Sequence, residues 1–243
     1  MMKAFITAQR VIQQLLRDRR TLILVFAIPP LLLWLLKHVF HHNPMFNQFA
    51  PLILGIFPMT MMFLISSIVT LKERRDGTLA RLMSLPMAKV SFLLGYALAF
   101  SIVASIQAAI TALFTIYVLD VPLSGGTGYA ILAATMSALL GTSLGLFTSA
   151  FARTEFQAVQ FMPAVIFPQI LLSGLLVPRD KMAPALEAIS DFLPLTYGTD
   201  LMHQVAVHSD WTTDHTTDLT IIVCFVVGLL VLGAATIRRR ERA

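Results

Sequence analysis

Residues 49–70 read FAPLILGIFPMTMMFLISSIVT, and residues 71–89, which follow without a break, read LKERRDGTLARLMSLPMAK. The first stretch carries no ionised side chain. About 20 apolar residues wound as a helix cross a hydrocarbon core of roughly 30 Å, so residues 49–70 predict a membrane span. The second stretch gathers Lys72, Arg74, Arg75, Arg81 and Lys89 at one end of that span. Basic loops are retained on the cytoplasmic side, so this pair of stretches sets both a fold class and an orientation.

The same test applied outward gives six runs, at about 21–40, 49–70, 90–119, 130–151, 156–177 and 219–237. The first contains Pro29 and Pro30, which predict a kink, and ends on Lys37 and His38. Lys37 can carry its ammonium to the interface, so the run is kept as a span. No A-x-A site follows it, which argues against a cleaved leader. Six crossings put both termini on one side. Fifteen of the eighteen Lys and Arg fall on that side, and eight of the thirteen acids fall on the other. The expectation is therefore an all-α integral membrane protein with both termini cytoplasmic.

Composition closes the alternatives. With 57% of its 243 residues hydrophobic, 13% charged and a mean hydropathy of +0.78, the chain is neither a soluble domain nor a disordered one. The net charge of +5 sits in the loops, so no nucleic-acid partner is expected. Cys224 is alone, and His41, His42, His208 and His215 form no ligand cluster. Neither a disulfide nor a metal site is expected. No linker divides the chain, so residues 1–243 read as one membrane domain.

The deep part of every span lacks Asp, Glu, Lys, Arg and His, which argues against ion-coupled transport through side chains. No Gly-Lys pair occurs, so there is no phosphate-binding loop and any nucleotide must be handled by another polypeptide. The span hydroxyls are expected to bond to their own helices and the glutamines to join helices. Ser137, Gly141, Gly145 and Ser149 make a smooth face for close helix approach. Phe57, Met61, Phe63, Gln107, Phe161, Phe167 and Gln169 are the candidates for an uncharged pathway, with Gln107 first among them.

Outside the spans, Phe5, Ala8, Ile12, Leu15 and Leu16 recur at helical spacing, with Arg10, Arg17 and Arg20 on the remaining arc. Residues 1–20 therefore read as a helix lying in the interface. Residues 71–86 turn amphipathic at Leu79, Leu82 and Met83, which suits a groove on a partner protein. Asp76, Gly77, Ala80 and Arg81 also match the start of the CDP-alcohol phosphotransferase signature. That enzyme's metal site needs further aspartates, and none lies between Asp76 and Asp120.

The stretch Glu73-Arg74-Arg75-Asp76-Gly77-Thr78-Leu79, continuing through Arg81 and Leu82 to Pro86 and then Phe92-Leu93-Leu94-Gly95, resembles the first signature of ABC-2 type transporter permeases. Phe167-Pro168, Leu172-Ser173-Gly174 and Leu193-Pro194-Leu195-Thr196-Tyr197 resemble the second. Tyr96 stands where a Lys is frequent, and His203 where Arg or Gln is. The resemblance implies the membrane subunit of a type-2 ABC exporter in the plasma membrane of a prokaryote. Glu73, Arg74, Arg75, Gly77, Thr78, Leu79, Arg81, Leu82 and Pro86 would form the helix that couples to a separate ATPase, present as two copies or two paralogues. This chain would bind no cofactor; ATP and Mg would sit on that partner. A homodimer or a heterodimer with a related permease is implied, in contact with membrane lipid.

The resemblance also implies two short re-entrant helices between spans five and six, with Pro194 and Tyr197 as an outer gate. The residues agree, because Leu186, Ile189, Phe192 and Leu193, then Leu201, Met202 and Val205, follow helical spacing within a segment too long for an empty loop. Hydrophobic or amphipathic small molecules, or lipids, are the expected cargo, with lipid-linked glycans as the alternative.

Overall fold

The computed structural model describes the backbone of residues 2–41, 43, 45–75 and 89–240. Within these it contains nine α-helices and no strand. The expected coupling residues Gly77, Thr78, Leu79, Arg81, Leu82 and Pro86 lie outside the described residues.

α1 (Met2–Arg17) stops one residue short of α2 (Arg19–Phe40), and Asp18 separates them. Its carboxylate accepts hydrogen bonds from the Thr21 hydroxyl at 2.6 Å and the Thr21 N–H at 3.2 Å, capping α2. Those bonds hold the Asp18 carboxyl below the usual range. α2 runs as helix through Pro29 and Pro30. α3 (Met45–Arg75) runs 31 residues, roughly 46 Å of helix. It therefore carries Glu73, Arg74 and Arg75 on the same rod as span two.

α4 (Lys89–Tyr117) ends in a tight turn, with Leu119 N–H donating to Phe114 O and Asp120 at φ 51°. Lys37 reaches this end, donating to Leu119 O at 2.7 Å and lying 3.9 Å from Asp120. The ammonium thus satisfies a carbonyl in the turn that follows α4. α5 (Gly126–Ser149) and α6 (Glu155–Leu172) follow. Thr154 caps α6, accepting from Gln157 N–H at 3.1 Å. The fifth crossing ends at Leu172 rather than near 177, because Ser173 ends the helix and Gly174, at φ +87°, turns the chain. A single 3₁₀ turn (Arg179–Lys181), α7 (Pro184–Ser190) and α8 (Pro194–Val207) lead to α9 (Thr213–Arg240).

Among the described residues, six helices are long and apolar enough to cross a membrane: α2, α3, Leu94–Tyr117 of α4, α5, α6 and Thr213–Gly233 of α9. α5 is the hub, packed on α3, α4, α8 and α9. Its small stripe decides the closest approach. A Cβ on Gly141 would stand 2.0 Å from Met59 O, and one on Gly145 2.1 Å from Ser66 Oγ. Any side chain there would separate α3 from α5, so the stripe is a packing seam, as its spacing predicts. Ser66 crosses the seam, donating to Met62 O at 2.7 Å and Thr142 O at 3.1 Å. The apolar stretch of α5 is 67% buried, against 17% for those of α6 and α9. Those two helices leave apolar faces for lipid or for another chain.

Candidate functional site

The helix ends sort into two charged junctions, one at each end of the bundle. At the basic end, Arg10 of α1 donates to Glu73 Oε2 at 2.5 Å and to the Tyr96 hydroxyl at 2.8 Å. The Tyr96 hydroxyl in turn donates to Glu73 Oε2. One carboxylate oxygen thus joins α1, α3 and α4, over sequence separations of 63 and 23 residues. Arg74, next to it on α3, donates to Ala152 O in the α5–α6 turn. Glu73 is only 7% exposed, and its other oxygen, Oε1, has no hydrogen-bond partner among the described residues. A buried carboxylate held by a guanidinium and a phenol is strongly directional and costly to break.

α1 reaches this junction by burying Ala8, Val11 and Leu15 against the bundle, with Ile12 partly buried. The stripe expected to face the membrane is therefore split. Phe5 and Leu16 are exposed, while Leu15 packs on the protein together with Val11, which the spacing argument had not included. Both apolar arcs flank one helix because its neighbours cover only one of them.

At the other end, Arg179 donates to Asp200 Oδ2 at 2.8 Å, to Ser190 Oγ at 3.0 Å and to Asp191. Tyr197 donates to Asp191 O at 2.7 Å, and Thr196 to Ser190 O at 2.8 Å. Burial raises the Asp200 carboxyl's pKa, with Arg179 pulling it back, and burial likewise raises that of the Tyr197 phenol. Gln169 locks α8 to α6: its Oε1 accepts from Leu195 N–H at 3.2 Å while its Nε2 donates to Val165 O at 2.8 Å. Thr199 adds a bond to Ser173 O at 2.8 Å.

α8 sits deep. Ser137 Oγ would be 2.9 Å from a Cβ on Gly198, and a Cβ on Gly55 would be 3.4 Å from Gly198 O. Gly55 and Ser137 lie roughly 15 Å along α3 and α5 from their ends at this side. Leu201, Met202 and Val205 are buried there, as their spacing predicts, and Pro194 is buried at the first turn of α8. The expected apolar positions Leu186 and Ile189 on α7, and Phe192 just past its end, are exposed.

The pathway candidates are not brought to one place within this chain. Phe57 packs with Leu33 and Phe46, Met61 lines a cleft beside α2, and Phe63 and Phe161 pack in the α3–α5 core. Phe167 is exposed on α6, and Gln169 is held at the α6–α8 contact. Gln107 is fully buried, and among the described residues neither of its amide atoms is hydrogen-bonded. The reading by residue type did not single out Arg10, Tyr96, Arg179, Asp191 or Asp200. Their common signal is a charged or phenolic group at the end of an apolar run, which gives a position but not a partner.

Six crossing helices with their charged ends gathered on opposite faces define a multi-pass membrane protein. The ABC-2 type transporter family profile matches residues 3–206, and the chain belongs to that family. This is the membrane permease domain of ABC transporters, which lacks the nucleotide-binding domain, and membership sets aside the phosphotransferase reading. The chain is 26% identical over 156 residues to the "Probable multidrug ABC transporter permease YbhR" of Escherichia coli (strain K12), covering 64% of this chain and 42% of that protein. It is 30% identical over 141 residues to "ABC transporter G family member 20" of Dictyostelium discoideum, covering 58% and 19%. It is 24% identical over 136 residues to the "Inner membrane transport permease YhhJ" of Escherichia coli (strain K12), covering 56% and 36%. The chain thus spans less than half the length of these relatives.

Proposed function

We propose that this chain is the membrane subunit of an ATP-driven exporter, set in the plasma membrane of a prokaryote with its basic end in the cytoplasm. The Arg10–Glu73–Tyr96 junction carries the reading. It ties the amino-terminal helix and spans two and three together immediately before the segment 76–86, whose residues suit a groove on an ATPase. Force applied to that segment enters a rod that continues through span two. ATP and Mg belong to the partner, and residues 1–243 act as one membrane domain.

A second membrane subunit is part of the reading. Gln160 is exposed on α6 beside Phe156, Pro163 and Phe167, and lipid cannot satisfy an amide. This face therefore suits another chain or a wet pathway between two chains. Gln107 stays the pathway candidate inside the chain, and Pro194 and Tyr197, on the deep α8, form the outer gate. The multidrug and inner-membrane names of the bacterial relatives support export of hydrophobic or amphipathic molecules.

The test uses Arg75, which is exposed at the end of α3 and outside the junction. In vesicles containing the chain and its ATPase, Arg75→Ala is expected to leave ATP hydrolysis running and to lower export of a fluorescent amphiphile. Unchanged export per ATP would count against the assignment.

A further inference from the structure

Between α1, α2 and the basic half of α3 lies a cleft of about 710 Å³, within the roughly 300–1,000 Å³ of small-molecule sites. Its walls sort by height. Arg17, Lys72 and Glu73 stand at the mouth, and Leu24, Ile28, Met61 and Ile68 line the part below. From Lys72 to Met61 the helix rises roughly 16 Å, close to one leaflet of a core of roughly 30 Å. Leu24 is exposed at the lip, so the cleft opens sideways, toward lipid.

The charges at the mouth are close enough to feel one another, since Lys72 adds to the Thr21 bonds in holding the Asp18 carboxyl down, but they are not locked in contact pairs. Among the described residues Arg17 and Lys72 form no ion pair. Glu73, which lines the cleft, gives one oxygen to Arg10 and Tyr96, and its buried Oε1 accepts nothing among the described residues. Asp18 and Glu155 complete the rim, with both Asp18 oxygens engaged by Thr21. A purely anionic head group would meet three carboxylates, and a purely cationic one would meet Arg17 and Lys72. A head group bearing both charges satisfies each.

We propose that this cleft binds a phospholipid of the adjacent leaflet whose head carries a phosphate and a primary ammonium. Arg17 and Lys72 take the phosphate, the ammonium donates to Glu73 Oε1, and one acyl chain lies along Ile28, Met61 and Ile68. A trimethylammonium head has no N–H to donate and is the poorer ligand. The bound head rests on the carboxylate that joins α1, α3 and α4, so the lipid braces that junction. The inference needs the chain to span a membrane, and it does not depend on export.

The experiment is native mass spectrometry of the purified full chain, stripped of lipid and offered phosphatidylethanolamine, phosphatidylcholine or phosphatidylglycerol in turn. Phosphatidylethanolamine is expected to be retained roughly tenfold more than either other lipid. Ile68→Trp, which fills the acyl portion, and Lys72→Ala, at an exposed position, are each expected to remove most of that preference. Equal retention of the three lipids, or a preference untouched in both variants, would overturn the proposal. Should Ile68→Trp fail to fold, Lys72→Ala decides alone. Binding is read without nucleotide, so its failure leaves the export reading standing, and failed export leaves the lipid site standing.

Discussion

The two junctions use the same chemistry in opposite proportion. At the basic end one carboxylate, Glu73, serves an arginine and a tyrosine, is buried, and links segments far apart in sequence. At the other end one arginine, Arg179, serves two carboxylates that are partly exposed and lie only 12 and 21 residues away. The first is a structural joint between helices that also pack through Ala8, Val11 and Leu15. The second staples a local turn to the end of α7 and the middle of α8, where water screens it. A protein that takes force at one end and opens at the other would need this asymmetry: a stiff input and a yielding outlet.

Breaking the stiff joint has the largest expected effect. Glu73→Ala leaves Arg10 and Tyr96 without their shared acceptor and should lower stability by about 3 kcal/mol, read as a fall in melting temperature of the purified chain. A change below about 0.5 kcal/mol, the range of ordinary surface substitutions, would show that the joint is ornamental. Next comes the seam that holds the two ends in register. Gly141→Ala places a methyl group where Met59 O stands, and overpacking of this kind costs about 1–3 kcal/mol. Both junctions should loosen together, measured as faster hydrogen exchange at α1 and at α8.

The comparison sharpens with double-mutant cycles. Arg10 with Glu73 should show a coupling of about 1–3 kcal/mol, and Arg179 with Asp191 less than about 1 kcal/mol, falling further in high salt. Equal couplings would erase the distinction. The smallest effect is at Asp200, where burial raises the folded carboxyl's pKa. A folded pKa above the unfolded one gives stability that is full below the unfolded value and is lost as pH rises through the folded value. Asp200→Asn, which mimics the neutral form, should therefore leave stability unchanged or raised by less than about 1 kcal/mol at pH 7. Its advantage should vanish on acidification through the carboxylate range. A clear loss at pH 7 would mean that the pair with Arg179 outweighs the burial.

What the sequence made legible follows from how directly each feature obeys one rule. Long apolar runs and the sidedness of Lys and Arg give the six crossings, because hydrocarbon tolerates little else. The Ser137, Gly141, Gly145 and Ser149 stripe announces close approach because only small residues permit it. Leu201, Met202 and Val205 announce a buried face on α8. The junctions were not legible, since Arg10 and Glu73 are 63 residues apart and nothing in either local pattern names the other. α1 misled for a related reason: its apolar arc is wider than the strip its neighbours cover, so spacing alone could not divide protein-facing Val11 and Leu15 from exposed Phe5 and Leu16. The pathway candidates were chosen by residue type, which does not distinguish the packed Phe63 from the exposed Phe167.

The most direct test reconstitutes this chain in sealed vesicles, alone and together with its ATP-binding-cassette ATPase, and follows accumulation of an amphipathic dye against its gradient. Accumulation that appears only when both polypeptides and ATP are present is the predicted result. Uphill accumulation driven by this chain without any ATPase would contradict the account.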